Sequence, residues 1–141
     1  MNTEIQTFES HVTKKGLKHS QKRDVILQEF LKAQQHVSVE DLFARVRKKY
    51  PTIGFTTVYR AMKLMVESGV AETVDFDDGV RRYERRLGRE CHAHLICTKC
   101  GRNFEVFDVS LKGLNEKLTQ ENRFMALRHR FEIFGLCQKC L

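Results

Sequence analysis

The chain has 141 residues, and its 25 lysines and arginines outnumber its 18 aspartates and glutamates, which gives a formal net charge of +7. This length suits one domain or two small ones, and the positive charge favours a polyanion as the partner over an acidic substrate. No apolar run approaches the ~20 residues of a membrane span, and residues 1–7 lack the basic and apolar regions of a secretory signal, so we expect a cytoplasmic protein without a membrane partner.

The first segments of the chain show helical patterns. Residues 3–14 are predicted to form a short helix, and Ser20 starts a run of apolar residues at helical spacing. Ser38-Val39-Glu40-Asp41 is typical of a capping box that opens the next helix. That helix is expected to end at Tyr50-Pro51, because the residue before a proline disfavours helical geometry.

A third main helix and a β-hairpin complete the first 86 residues. The helix is predicted to begin at Thr56 or Thr57 and to stop at Gly69. Two strands, over 70–76 and 80–86, flank a turn signal at residues 77–79. Three helices followed by a hairpin are the outline of a winged helix-turn-helix domain, here residues 1–86.

The third helix has two different faces. One side carries apolar residues, and the other carries Thr56, Tyr59, Arg60 and Lys63 at positions i, i+3, i+4 and i+7. A hydroxyl, a phenol and two cations on one exposed face suit a helix that lies in the major groove of DNA. An ordinary amphipathic helix with a solvated face gives the same pattern.

Two further basic clusters favour DNA binding. The predicted hairpin carries Arg81, Arg82, Arg85 and Arg86. Basic residues that include Lys18 and Arg23 surround the start of the first main helix. Any single charge run is usually only a solvated surface, but three clusters in one small domain strengthen the prediction of a nucleic-acid partner.

All five cysteines follow residue 86, at positions 91, 97, 100, 137 and 140. An odd number in a chain without an export signal argues against a disulfide framework. This change in composition indicates a second domain over residues 91–141, joined to the first by a hinge over 87–90.

The second domain is predicted to have a β-β-α-β order. Strands are expected over 92–97 and 103–107, a helix over 109–118 and a long strand over 124–136. Hydrophobic faces on so few residues indicate a core shared with a second copy, and therefore a homodimer. The expected fold class is α/β (α+β), with a winged-helix domain before a small dimerisation domain.

Cys97-x-x-Cys100 and Cys137-x-x-Cys140 form a paired CxxC motif. Two residues between thiolates let one turn present both sulfurs to one tetrahedral ion, and two such turns complete a four-thiolate zinc site. We predict structural Zn²⁺ here. The alternatives are a redox dithiol, two disulfides or unrelated surface turns.

A second group of ligand-type residues precedes the first CxxC motif. In a strand, His92-Ala93-His94 places both imidazoles on one face and Cys97 on the opposite one. A lone His-x-His is weak evidence for a metal. Glu105, Glu84 and His36 offer further ligands, but the sequence alone does not bring them together.

Three motifs in this order resemble the ferric uptake regulator (Fur) family. They are His36-Val37-Ser38-Val39-Glu40-Asp41-Leu42, Gly54-Phe55-Thr56-Thr57-Val58-Tyr59-Arg60, and His92-Ala93-His94-Leu95-Ile96-Cys97 with its CxxC. The resemblance implies a homodimeric, metal-dependent bacterial transcriptional regulator that binds double-stranded DNA.

The resemblance also implies roles for individual residues. The family's regulatory metal site falls on five of them: His36, Glu84, His92, His94 and Glu105. Three imidazoles and two carboxylates suit Fe²⁺, Mn²⁺ or Zn²⁺. A metal that joins these residues would fix the angle between the two domains. DNA contacts carry over to Tyr59 and Arg60, with Arg23 and Lys18 towards the backbone.

This sequence departs from the family at a further metal site in the dimerisation domain. Cys91 and Ala93 stand where many members have His and Asp, and Lys112 replaces the usual acidic residue of the following helix. His129 alone is retained. We therefore expect that extra site to be absent or degenerate, with Cys91 and His129 as its remaining candidate ligands.

The choice among regulators depends on few residues. Peroxide-sensing members favour Asp where this chain has Glu84 and Glu105, which favours iron sensing as the function. Zinc-uptake regulators use a thiolate in the sensing site, and Cys91 keeps zinc sensing as the alternative. Outside the family, a metal-dependent enzyme is the competing class. No open coordination position or nucleophile pair supports it, so we expect no small organic substrate.

Overall fold

The computed structural model describes residues 2–87, 91–127 and 129–141. The chain divides into two compact units, Met1–Arg89 and Glu90–Leu141. Leu87, the first residue of the predicted hinge, packs against the core of the first unit. The other hinge residues, 88–90, lie outside the described residues. No helix in the described segments is long and apolar enough to cross a membrane.

Local signals set the ends of the helices in the first unit. Its described part contains α1 (Asn2–Lys14), α2 (Gln21–Lys32), α3 (Val39–Lys49) and α4 (Phe55–Ser68). The Ser20 hydroxyl accepts a hydrogen bond from the Arg23 N–H at the start of α2. Ser38 and Asp41 form the predicted capping box of α3, with both reciprocal hydrogen bonds present.

Helix α4 begins one residue earlier than the sequence predicts. Gly54 is its N-cap, in extended geometry and without a side-chain cap, so the helix begins before both Thr56 and Thr57. At the other end Gly69 has a φ of 82°, the left-handed conformation that favours glycine and ends the helix as expected. Val58 and Met65 are fully buried, so the apolar face of α4 lies in the core.

A three-stranded antiparallel sheet completes the first unit. Its strands are β1 (Val37–Ser38), β2 (Ala71–Asp75) and β3 (Arg81–Arg85), in the order β1-β3-β2. The hairpin of β2 and β3 is the predicted one. Strand β1, in contrast, is too short to show any periodicity in the sequence. It pairs Val37 with Tyr83, which also pairs with Thr73 of β2.

The second unit has the predicted β-β-α-β order. Its elements are β4 (His92–Cys97), β5 (Asn103–Phe107), α5 (Val109–Glu121) and β6 (Glu132–Gly135). Strand β4 is central, antiparallel to β5 and parallel to β6. This mixture of helices and sheets confirms the predicted fold class.

The predicted long strand over 124–136 is wrong for most of its length, because among the described residues of this range only Glu132–Gly135 form a strand. Phe124, Met125 and Leu127 are 68%, 83% and 79% exposed. These side chains therefore form no buried face within one chain, and alternation without a buried face does not specify a strand.

Large apolar side chains remain exposed elsewhere in the second unit. None of the described side chains of α5 is buried. Exposed apolar residues of the unit include Phe104, Val106, Leu114, Leu118, Ile133 and Phe134. A single chain leaves this surface uncovered, although soluble monomers rarely expose contiguous apolar patches of large size.

Candidate metal centres and DNA-binding surface

Four cysteines from two turns meet at one end of the second unit. Parallel pairing of β4 with β6 places Cys97 opposite Gly135, so the turn after β4 lies beside the turn after β6. The sulfur atoms of Cys97, Cys100, Cys137 and Cys140 lie within 4.8 Å of one another.

The spacing of these sulfurs fits zinc. Cys100 Sγ and Cys137 Sγ are 3.7 Å apart. A tetrahedral zinc ion with Zn–S bonds of about 2.3 Å sets its sulfurs about 3.8 Å apart. The Cys137 N–H also donates to Cys97 Sγ at 3.4 Å, a contact of the kind that supports a thiolate ligand. All four cysteines are free thiols, so the two disulfides considered from sequence do not form.

The pKa values of Cys97 and Cys140 shift in opposite directions. Backbone N–H groups of Cys100 and Cys137 lower the pKa of Cys97 to about 6. Hydrogen bonding to Cys137, together with burial, raises the pKa of Cys140 to about 12. The thiolate form of Cys97 is therefore favoured even without a bound cation. Four thiolates this close together repel one another, so a divalent ion is needed for all four to be deprotonated at once.

A second ligand group lies on the sheet of the same unit. His92, His94 and Glu105 each place a ligand atom within 4.8 Å of the others. His94 of β4 lies directly opposite Glu105 of β5, and its Nε2 is 3.7 Å from Glu105 Oε1. That distance is too long for a hydrogen bond, whereas two ligands at about 2.1 Å from one ion lie at most about 4.2 Å apart. Nitrogen and oxygen donors in this geometry fit a borderline divalent metal.

The remaining two predicted ligands belong to the first unit. Val37 pairs with Tyr83 in antiparallel register, so His36 lies level with Glu84 at the next position. Glu84 is buried, with 5% of its surface exposed, and His36 is half-buried. The His36 ring meets the Phe76 ring edge-on, with 4.8 Å between centroids. The sequence analysis does not single out Phe76, because an aromatic residue at the end of a strand is an ordinary core signal.

Cys91 and His129, the candidate ligands of the degenerate extra site, are in contact. Cys91 Sγ lies 3.0 Å from His129 Nε2. The two residues are 38 positions apart in sequence, and the segment that carries His129 leads directly into β6. The sequence shows both residue types but not their proximity.

Comparison with known proteins shows which protein family this chain belongs to. The model of the Ferric uptake regulator family matches residues 14–134. The chain belongs to this family. It is 30% identical over 143 residues to the ferric uptake regulation protein of Bacillus subtilis, a match that covers 99% of this chain and 96% of that protein.

Solved structures agree with the family assignment. A Pseudomonas aeruginosa ferric uptake regulator with manganese shares 25% identity and a TM-score of 0.78, covering 92% of this chain and 97% of that one. A zinc-bound manganese uptake regulator shares 34% identity and a TM-score of 0.64, covering 93% and 98%. The resemblance noted from the motifs is confirmed. This Fur-family chain is a metal-responsive transcriptional regulator and not an enzyme.

Helix α4 of this Fur-family chain exposes the polar residues of its outer face to solvent. Thr56, Tyr59, Arg60 and Lys63 are all exposed, and the first turn of the helix carries no acidic residue. Near the start of α2, the Arg23 guanidinium donates to the Lys18 carbonyl oxygen at 3.2 Å, which ties these two cations together.

The hairpin arginines are not equivalent. Arg81 is exposed, and Arg82 is paired with Asp78 at 2.7 Å. Arg85, which the sequence analysis counts with the DNA-binding clusters, donates instead to the buried Glu4 carboxylate and to the Leu31 carbonyl oxygen. Its charge is neutralised inside the first unit, so the interpretation of Arg85 as part of a DNA-facing cluster is wrong.

Proposed function

We propose that this chain is an iron-responsive repressor that binds a pseudo-palindromic DNA operator as a homodimer. The observation that carries the proposal is the separation of two donor sets, one of four thiols and one of imidazoles and a carboxylate. Thiolates hold zinc permanently as part of a fold, whereas nitrogen and oxygen ligands suit an exchangeable Fe²⁺ or Mn²⁺ ion.

We infer that His36 and Glu84 complete the regulatory site with His92, His94 and Glu105, as the family pattern implies. Support comes from the register that places His36 level with Glu84 and from the burial of Glu84. A bound cation stabilises the ionised form of a buried carboxylate. Ligands drawn from both units give the metal a way to select one arrangement of the units, which is the two-state element that a repressor needs.

The homodimer is supported by the uncovered apolar side chains of the second unit. In a single chain Leu114 and Leu118 of α5 and Ile133 of β6 are 46%, 50% and 63% exposed. A second copy supplies an equivalent surface, and a two-fold dimer presents two copies of α4 to the two half-sites of an operator.

The test is DNA binding with and without metal. Duplexes selected from a random pool by the Mn²⁺-loaded protein serve as probe, and fluorescence anisotropy reports affinity in Fe²⁺, Mn²⁺, Zn²⁺ or chelator without oxygen. We expect strong binding with Fe²⁺ or Mn²⁺ and weak binding in chelator. Equal affinity in chelator and metal would contradict the proposal.

The DNA contacts are tested by Arg60→Ala, with Lys112→Ala as its matched control. Arg60 lies on the exposed face of α4, whereas Lys112 is an exposed cation of α5. Loss of a base contact lowers specific affinity roughly ten- to hundredfold, and loss of a phosphate contact lowers the salt slope by about 0.9. We expect Arg60→Ala to lower the affinity for DNA and Lys112→Ala to leave it unchanged. An Arg60→Ala affinity equal to that of Lys112→Ala would show that Arg60 does not contact the DNA.

Zinc sensing is the second candidate, favoured by the contact between Cys91 and His129. A thiolate in the sensing site would select Zn²⁺ over Fe²⁺. Under iron sensing, Cys91→Ser leaves the metal-dependent gain in DNA affinity unchanged. Under zinc sensing, the same change weakens the Zn²⁺ response on the order of tenfold or more, as expected for the loss of a soft ligand.

A further inference from the structure

Phe76 contacts two functional side chains of the first unit at once. It follows β2 directly, and only 6% of its surface is exposed. One side of its ring meets the His36 imidazole edge-on, at 4.8 Å and an interplanar angle of 79°. The Arg82 guanidinium lies over the ring, 5.3 Å from its centroid.

Phe76 is buried but is not part of the main apolar cluster of the first unit. The apolar cluster at the centre of the first unit, as far as the described residues show it, does not include Phe76. The contacts of its ring include a proposed metal ligand, His36, and a cation of the hairpin, Arg82. Arg82 is held in turn by Asp78 at 2.7 Å, so the guanidinium has a fixed place over the ring.

An edge-on ring contact restricts the orientation of an imidazole. A histidine that binds a metal must direct one nitrogen at the ion, and groups outside the ligand set usually fix that orientation. Packing against an aromatic ring does the same without a hydrogen bond, because a T-shaped contact favours one interplanar angle.

We propose that Phe76 is a positioning residue that holds the His36 imidazole in the orientation needed to bind the regulatory metal. The inference rests on the proposed function, in which His36 is a ligand of that metal. Because Phe76 and His36 both belong to the first unit, the inference does not depend on how the second unit is placed.

The experiment titrates the zinc-loaded protein with Co²⁺ and follows the visible absorption of the bound ion. Phe76→Leu keeps an apolar side chain but removes the ring, whereas Phe76→Tyr keeps the ring. Phe43→Leu is the matched control, because Phe43 has a T-shaped contact with Phe55 at 5.5 Å and Arg47 at 5.9 Å from its ring centroid. It removes an equivalent aromatic residue that touches no proposed ligand.

We expect Phe76→Leu to weaken Co²⁺ binding roughly two- to tenfold, the size of one aromatic contact. Phe76→Tyr and Phe43→Leu should bind Co²⁺ as the parent protein does. Melting temperatures of the two Leu variants, measured without Co²⁺, show whether each is folded to a similar extent. Wild-type Co²⁺ affinity in a folded Phe76→Leu protein would overturn the inference, as would an equal loss in Phe43→Leu.

A double-mutant cycle separates positioning from general destabilisation. In a His36→Ala protein, Phe76→Leu should cause no further loss of Co²⁺ affinity, because the ring has no ligand left to orient. An equal loss with and without His36 would contradict the role of Phe76. If His36→Ala alone leaves the Co²⁺ affinity unchanged, the ligand assignment of the proposed function is wrong, which is a different result from a failure at Phe76.

Discussion

Replacing one thiolate of the four-cysteine group should remove zinc and unfold the second unit. The described residues of that unit bury few side chains, with Ala93 and Ile96 as the aliphatic ones. Their burial contributes on the order of 4 kcal/mol. Structural zinc contributes about 10–16 kcal/mol in small domains, so the metal outweighs this core about threefold.

Cys140→Ser is the variant of choice, with Cys91→Ser as its matched control. Both replace a thiol of the second unit, but only Cys140 belongs to the four-sulfur group. Loss of a direct ligand should reduce zinc affinity by more than the about 10- to 100-fold loss that follows removal of an outer-shell partner. We therefore expect Cys140→Ser to purify with less than one zinc ion per chain.

Metal analysis and thermal unfolding followed by circular dichroism measure the effect. Cys140→Ser should lose the unfolding transition of the second unit and keep a transition from the first unit, whose apolar cluster is its own. Cys91→Ser should keep its zinc and both transitions. A Cys140→Ser protein with a full zinc ion and the wild-type unfolding curve would refute the assignment, and so would equal zinc loss in Cys91→Ser.

Three further predictions concern other parts of the chain. Burial opposes ionisation of Glu4, but hydrogen bonds that include one from Arg85 outweigh it and lower its pKa from 4.5 to about 2. The ionised Glu4 carboxylate therefore stabilises the fold fully above pH 4.5, and this stabilisation is lost as the pH falls towards 2. Glu4→Gln should have a lower melting temperature at pH 7, and its melting temperature should fall less steeply as the pH decreases below 4.5. His92→Ala should keep its structural zinc yet lose the metal-induced gain in DNA affinity, as equilibrium binding and metal analysis can show. Leu118→Asp should dissociate the dimer in analytical ultracentrifugation, whereas Lys112→Asp, on the same helix, should not.

Local signals explain why the first unit could be predicted from sequence. Ser38 with Asp41 and Gly69 are helix-end signals that act over four residues or fewer, and the structure places helix ends there. The buried face of α4 could also be predicted, because its apolar residues recur at helical spacing. In contrast, the two-residue strand β1 carries no pattern of its own, since it exists only because β3 provides a partner.

Long-range placement explains what the sequence could not predict. The ion pair between Arg85 and Glu4 joins positions 81 residues apart, so Arg85 looked like a surface cation. The alternation over 124–136 suggested a strand, but Met125 and Leu127 remain 83% and 79% exposed in one chain. The metal ligands came from the resemblance to known regulators, whereas the contact of Phe76 with His36 required coordinates.

The parallel pairing of β4 with β6 has a consequence for the order of events during synthesis. The two CxxC turns are separated by 36 residues, and Cys140 is translated 40 residues after Cys100. At 5–20 residues per second, the ribosome needs about 2–8 s to cover that length. During that time Cys97 and Cys100 form an open dithiol without the other two sulfurs. Such a pair of thiols without its full ligand set also suits other soft cations, such as Cu⁺.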